Sequence, residues 1–128
     1  MAHPKVDQQI TFLYTQELTK SADFYENMMG FSLWLDQGSC RIYHVGGSSY
    51  IGVCQTNDES KGVISGDKQT NIIFTIVTDK VDEWYSYLKE RGVEFEKPPE
   101  TNPKYHIYHC FLRDPNGYLI EIQRFLNV

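Results

Sequence analysis

The chain lacks the features that mark nucleic-acid-binding and membrane-spanning proteins. It has no cluster of basic residues, and its 12 Lys and Arg against 17 Asp and Glu give a net charge of −5. Because nucleic acids are held by basic patches that neutralise phosphates, we expect no nucleic-acid partner. No apolar run reaches the ~18 residues of a membrane-spanning helix, so we expect no membrane partner either.

Cysteine is scarce as well. Cys40, Cys54 and Cys110 form an odd number, without the density of a disulfide framework. We expect all three to remain thiols, with a zinc cluster of Cys40, Cys54 and His44 as the alternative. The first ten residues lack the apolar core of a signal peptide. Together these absences predict a reduced, cytoplasmic protein.

Aromatic residues, in contrast, are abundant. They make up 14% of the chain, with nine Tyr and seven Phe among 128 residues. Such side chains fill cores and also line pockets for flat or apolar ligands. A chain of this length is the size of one domain, so we expect a single domain over residues 1–128.

The predicted elements occur twice in the same order. Each half starts with a β-branched strand, continues with an amphipathic helix that ends at Gly30 or Gly92, and closes with three short strands. The pair Trp84-Tyr85 follows the pair Phe24-Tyr25 by 60 residues. The predicted strands are 8–15, 31–36, 40–45 and 49–55, then 71–78, 93–97, 106–113 and 118–125, and the helices are 17–30 and 79–92.

This repetition predicts two βαβββ modules that arose by duplication. Module 1 spans about 8–55, a linker loop about 56–69, and module 2 about 70–126. Each module offers a four-stranded sheet with one helix on one face, which buries little surface alone. We expect the two sheets to pack together and to curve around a cavity.

Glu121 is the candidate functional residue of the last strand. It alternates with Ile120 and Ile122, which should pack under the helix and leave Glu121 facing the cavity. A buried carboxylate is costly unless it is used or paired.

The turn Asp114-Pro-Asn-Gly117 indicates which side chains join Glu121. If the turn pairs Arg113 with Tyr118, Cys110 lies opposite Glu121, and His109 lies on the other face. Four aromatic residues of the first half also lie on strands that should border the cavity and could hold a flat or cationic molecule. The predicted ligand-binding residues are therefore Tyr14, Trp34, Tyr43, Tyr50, His106, Tyr108, Cys110 and Glu121.

Three stretches resemble one known superfamily. They are Glu17–Phe31, Val81–Val93 and, most specifically, Asp114-Pro-Asn-Gly-Tyr118 through Glu121. Together they are similar to the glyoxalase/bleomycin-resistance/extradiol-dioxygenase superfamily, also called the vicinal oxygen chelate fold. The resemblance covers about residues 8–126. It implies an α+β fold in which two βαβββ modules form a curved, half-open mixed sheet barrel around a cavity, and it implies a homodimer.

In metal-dependent members of that superfamily, each half supplies two ligands to one divalent ion. The corresponding positions here are Ile10, the stretch 52–55, Ile73 and Glu121, and Glu121 alone matches. A catalytic ion generally takes about three protein ligands, so we expect no metal at this place and no other cofactor. A divalent metal held by Glu121 with Gln9, Asn71 or His106 is the alternative.

Three functions follow from these residues and from the resemblance. The first is a protein of bleomycin-resistance type that binds a small organic molecule without the family metal. The second is a lyase, isomerase or dioxygenase that uses Glu121 as a metal ligand or, without metal, as a general base. The third is a dimeric accessory protein without a small ligand. The sequence leaves open whether the protein is an enzyme.

Overall fold

The computed structural model describes residues 4–61 and 72–127. The chain divides into two compact units, Met1–Val63 and Ile64–Val128. Of the predicted linker loop 56–69, residues 62–69 lie outside the described residues, as does Asn71. Among the residues that the structure describes, no helix is long and apolar enough to cross a membrane.

Unit 1 contains four strands and one helical segment. The elements are β1 (Gln9–Thr15), α1 (Leu18–Asp23) with a π-helical continuation (Phe24–Met28), β2 (Ser32–Asp36), β3 (Cys40–Gly46) and β4 (Ser49–Gln55). The strand order in the sheet is β1-β4-β3-β2, with β1 parallel to β4 and the other pairs antiparallel. Gly30, at φ 74°, follows the helical segment and turns the chain into β2.

Unit 2 repeats this arrangement. Its elements are β5 (Ile73–Val77), α2 (Val81–Glu90), β6 (Phe95–Asn102), β7 (Ile107–Arg113) and β8 (Leu119–Phe125). The strand order is β5-β8-β7-β6, again with one parallel pair, β5 with β8. Two mixed four-stranded sheets with one helical segment each confirm the predicted α+β class and the βαβββ order.

Strand β6 is longer than predicted. We expected a strand over 93–97 and a proline-rich loop after it, but the strand continues through Pro98 and Pro99 to Asn102. Two register shifts interrupt its pairing with β7. Because β6 is an edge strand, its prolines need not donate hydrogen bonds to a second neighbour, and the ladder tolerates them.

Each helical segment covers one face of its own sheet. In unit 2, Val81 and Leu88 of α2 are buried together with the side chains of β7 and β8 that point towards the helix. We call the opposite side of each sheet its helix-free face. The buried residues of the helix-covered sides include Leu13, Ala22, Tyr25, Met29, Tyr43, Ile51 and Val53 in unit 1 and Val81, Leu88, Cys110, Leu112, Ile120 and Ile122 in unit 2.

The cysteines differ from the expectation. Cys40 and Cys54 are direct partners across β3 and β4, and they form a disulfide, so the prediction of three thiols is wrong for these two. The alternative zinc cluster is wrong as well, because the two sulfur atoms are bonded to each other and His44 Nε2 lies 2.7 Å from the carbonyl oxygen of Gly47. A sequence separation of 14 residues does not indicate a disulfide. The two cysteines are brought together by the hairpin of β3 and β4. Cys110 is a buried thiol, as expected.

Candidate functional site

The hairpin of β7 and β8 sets which side chains accompany Glu121. Its register pairs Phe111 with Glu121 and Cys110 with Ile122, one residue away from the predicted register. The Asp114 carboxylate accepts hydrogen bonds from the backbone N–H groups of Asn116 and Tyr118, both at 2.9 Å. The Asp114 N–H in turn donates to the Tyr118 carbonyl oxygen. Tyr118 therefore closes the loop opposite Asp114, and Arg113 pairs with Leu119 instead of Tyr118.

The corrected register places a polar cluster on the helix-free face of unit 2. Thr75 lies beside Glu121 in the parallel pair of β5 and β8, and its hydroxyl donates to Glu121 Oε1 at 2.8 Å. His109 lies one strand away, and its Nδ1 is 2.6 Å from Glu121 Oε2. Glu121 and His109 are 8% and 7% exposed, so the pair is nearly buried. The prediction that His109 faces away from Glu121 is wrong because it was based on the predicted register, which differs from the observed one by one residue.

The hydrogen bonds define the state of this cluster. When Glu121 is ionised it can only accept hydrogen bonds, and the donor is then the Nδ1–H of His109. Charge-assisted bonds of this length are among the stronger ones in proteins, which offsets the cost of burying the carboxylate. The ring of Phe111 meets that of His109 edge-on at 4.9 Å, and buried Gln123 is the cross-strand partner of His109. The result is a fixed carboxylate with an oriented imidazole in partly apolar surroundings.

Three predicted site residues of unit 2 do not share this face, which corrects the prediction. Cys110 is fully buried on the helix-covered side, and burial, then the charges of Asp82 and Glu121, raise the pKa of its thiol to about 12. The Tyr108 hydroxyl donates to Asp82 of α2 at 2.6 Å, and this hydrogen bond raises the pKa of Tyr108. His106 is exposed in the turn before β7, at φ 54°. The predicted face was wrong for Tyr108 and Cys110 because the one-residue shift exchanges the two sides of β7, and His106 lies outside that strand.

The predicted aromatic residues of unit 1 divide between two sides. Tyr14 and Tyr50 lie on the helix-free face of that unit, and the Trp34 ring is 5.0 Å from the Tyr50 ring. Tyr43 lies on the helix-covered side and is fully buried there. Burial, and then the negative charge of Glu26, raise the pKa of Tyr43. Tyr43 therefore does not lie on the helix-free face with Tyr14 and Tyr50.

The donor atoms around Glu121 do not fit a catalytic divalent ion. Nδ1 of His109 points at the Glu121 carboxylate instead of at a shared ion. Ile73, the expected ligand position on β5, has no donor atom in its side chain. In the ranges 4–61 and 72–127, no group of three or more His, Cys, Asp or Glu side chains could hold a metal ion. A site of about three protein ligands is not formed by these residues.

Comparison with known proteins identifies the family. Residues 7–122 match the sequence profile of the Glyoxalase/Bleomycin resistance protein/Dioxygenase superfamily. The chain belongs to this superfamily, as the three resembling stretches predicted.

Two relatives and one solved structure show how far the similarity extends. An uncharacterized protein of Bacillus subtilis, YraH, is 26% identical over 124 residues, which cover 89% of this chain and 94% of YraH. The metallothiol transferase FosB of Staphylococcus epidermidis is 30% identical over 108 residues, which cover 83% of this chain and 72% of FosB. A glyoxalase/bleomycin resistance protein/dioxygenase from Nocardioides superimposes with a TM-score of 0.76 at 17% identity, covering 99% and 87% of the two chains. This structural match shows a shared fold.

Proposed function

We propose that this protein binds a small organic molecule on the helix-free face of unit 2, beside Glu121, without the metal of the metal-dependent family members. The observation that carries the proposal is the Thr75–Glu121–His109 cluster, in which a nearly buried carboxylate is held by two hydrogen bonds. A carboxylate that is already fixed loses little freedom when a ligand arrives, which favours binding.

The surroundings of the cluster support a flat ligand that is aromatic or cationic. Ile73 and Val77 flank Thr75 on the same side of β5, and they are 43% and 60% exposed. The Phe111 ring lies on the other side of Glu121. Apolar walls around one charge fit a planar molecule that carries a positive charge.

The proposal is tested with proflavine, a planar cation, on protein treated with EDTA. We expect saturable binding by fluorescence and calorimetry, weakened about tenfold or more in Glu121→Gln, since a charge-assisted contact contributes about 1.5–3 kcal/mol. Glu90→Gln, which neutralises an exposed carboxylate of α2, is the matched control and should bind as the wild type does. Equal binding by wild type and Glu121→Gln, or none by either, would contradict the proposal.

A family-type enzyme is the second candidate, and the relative FosB favours it. FosB is a metallothiol transferase by name, and 83% of this chain aligns with it. The divalent-metal content of the same protein preparations, measured before EDTA treatment, distinguishes the two candidates. One equivalent of metal that is lost in Glu121→Gln would support a metal-dependent enzyme and overturn the metal-free site. The homodimer and the cytoplasmic location stay predictions, and size-exclusion chromatography with light scattering checks the former.

A further inference from the structure

The second ring nitrogen of His109, Nε2, takes no part in the hydrogen bond to Glu121. In the tautomer whose Nδ1–H donates to the Glu121 carboxylate, Nε2 carries a lone pair. Among residues 4–61 and 72–127, no hydrogen bond to Nε2 is formed, and Nε2 is not one of the side-chain atoms buried without a partner. The His109 side chain is 9% exposed, and Nε2 is the ring nitrogen left to accept a proton.

The arrangement matches the physical requirements for a general base. A carboxylate that binds Nδ1–H fixes the tautomer and the orientation of the imidazole, and it stabilises the imidazolium that forms when Nε2 takes a proton. Thr75 in turn holds the other carboxylate oxygen at 2.8 Å, so the carboxylate itself is oriented. The nearly buried position of both groups strengthens their interaction compared with water.

We propose that His109 and Glu121 form a metal-independent proton-transfer dyad. Nε2 of His109 takes a proton from an acidic C–H, O–H or S–H group of a small molecule, and Glu121 is the positioning residue. The inference rests on the proposed function, because the molecule occupies the same face. It differs from chemistry in which Glu121 itself is the base, since Glu121 here orients the imidazole and takes no proton from the small molecule.

A suitable probe is 5-nitrobenzisoxazole, a planar aromatic molecule with one acidic C–H. Nε2 takes the proton from the carbon beside the ring nitrogen, and the C–H electron pair forms the third bond of a nitrile. The N–O bond breaks, and its electron pair leaves on the phenolate oxygen. The imidazolium then returns its proton to water. No oxidant, reductant or metal takes part, and the coloured phenolate reports each turnover.

The first measurement is the tautomer of His109 in the free protein, by nitrogen-15 NMR of the imidazole. We expect the Nδ1–H form in the wild type. In Glu121→Gln, whose amide donates as well as accepts, we expect a mixture of the two forms. A wild-type protein in the Nε2–H form would overturn the dyad without involving any ligand.

The second measurement is the elimination rate of 5-nitrobenzisoxazole in the presence of EDTA. We expect kcat/KM to fall about 100-fold or more in His109→Gln and in His109→Phe, in line with the usual contribution of a general base. Glu121→Gln should lose about tenfold or more, mainly in kcat. The control His44→Gln, in the unit 1 sheet, should keep the wild-type rate. Two histidine variants are used so that a folding defect in one, seen by circular dichroism, does not decide the result.

The outcomes separate this inference from the proposed function. Equal rates in the wild type and both His109 variants, or no turnover at all, would overturn the dyad. Proflavine binding that still depends on Glu121 would in that case leave the proposed function standing. If the wild type neither binds proflavine nor turns over 5-nitrobenzisoxazole, both the proposed function and the dyad are overturned.

Discussion

The two units place different chemistry at equivalent positions of the same scaffold. In each sheet a residue of the first strand, six positions before its helix, pairs with a residue of the parallel neighbour: Phe12 with Gly52 in unit 1, and Thr75 with Glu121 in unit 2. In unit 1 the Phe12 ring fills the space where a side chain of residue 52 would stand. In unit 2 the same place holds the Glu121 carboxylate with its two hydrogen-bond donors.

The residues that maintain the fold and the residues that form the polar cluster are separable within this one chain. The buried side chains on the helix-covered sides of both sheets are mostly apolar, and they maintain the βαβββ arrangement. The helix-free faces have diverged, one towards aromatic rings and a disulfide, the other towards a polar cluster. Duplicated modules therefore need not share a function, which agrees with the general independence of fold and function.

The largest expected effect concerns the helix-covered side of unit 2. Ile122 is fully buried, next to Glu121 in the chain but on the opposite face of β8. Ile122→Ala should lower the free energy of unfolding by about 2–5 kcal/mol, because it removes buried methyl groups and leaves a cavity. Denaturant unfolding measures the change. An equally large loss of unfolding free energy in Glu121→Gln would show that the polar cluster stabilises the fold as much as the apolar side does.

The disulfide of unit 1 has no counterpart in unit 2 among the described residues. The Cys40–Cys54 bond closes a loop with a sequence separation of 14. Reduction with dithiothreitol should lower the free energy of unfolding by about 3 kcal/mol, the value of the chain-entropy model for a loop of this size. The double variant Cys40→Ser/Cys54→Ser should be insensitive to the reductant. An unchanged wild type in dithiothreitol would contradict a disulfide that stabilises unit 1.

The buried thiol of unit 2 should make stability depend on alkaline pH. The pKa of Cys110 is raised to about 12 in the folded protein, against about 9 for an exposed thiol. The folded state therefore keeps its proton where the unfolded state loses it, and this contribution to stability declines as the pH rises from about 9 towards 12. Between pH 9 and 10.5 the decline should be about 2 kcal/mol, at about 1.4 kcal/mol per pH unit.

The control for this titration is Cys110→Ala, which is less stable at neutral pH but should show a smaller slope over the same pH range. Urea unfolding at several pH values measures both proteins. Equal slopes in the two proteins would show that Cys110 does not carry the effect, since the tyrosines and lysines titrate in both.

Transfer of the unit 2 carboxylate into unit 1 tests how specific the polar site is. Gly52→Glu should lower the free energy of unfolding by about 1–3 kcal/mol, because the Phe12 ring occupies the space and the helix-free face of unit 1 places Ile42 opposite. The double variant Phe12→Thr/Gly52→Glu should recover part of the loss. Thermal unfolding compares them, and a neutral Gly52→Glu would mean that the two faces are interchangeable.

The smallest expected effect concerns the second donor to Glu121. Thr75→Val removes the hydroxyl that donates to Oε1 but keeps the side-chain shape, and it should cost about 1 kcal/mol of stability. It should also weaken proflavine binding slightly, since the carboxylate becomes less firmly held. Thr75→Ser retains the hydroxyl and should behave like the wild type in both measurements. If Thr75→Ser and Thr75→Val behave alike, the hydrogen bond does not contribute.

Sequence patterns predicted the fold more completely than the site. Period-2 alternation placed Ile120 and Ile122 under the helix and Glu121 on the other face, as observed. Alternation is a local pattern, so the predicted face of a residue stays correct even when the predicted ends of the strand are wrong. The partners of Glu121 depended on the hairpin register, and the Asp114 hydrogen bonds to Asn116 and Tyr118 shifted that register by one residue. One residue is enough to exchange His109 with Cys110.

A sequence signal for His109 was present in that turn. Asp at the first turn position commonly accepts the backbone N–H two residues on, and here the Asp114 carboxylate accepts from Asn116 and also from Tyr118. With Arg113 paired to Leu119, the alternation of β7 puts His109 and Phe111 on the Glu121 face. The Cys40–Cys54 disulfide could not be predicted from spacing, because bond formation depends on how close the β3–β4 hairpin brings the two sulfur atoms.

By itself, the sequence determined the family, the doubled βαβββ order and the face on which Glu121 lies. These follow from local periodicity, from helix ends at Gly30 and Gly92, and from motifs within short stretches of chain. Only the tertiary structure decided that Glu121 meets Thr75 and His109, residues 46 and 12 positions away. Such contacts depend on strand register, which is set by a few hydrogen bonds in a turn and which no periodicity along the chain encodes.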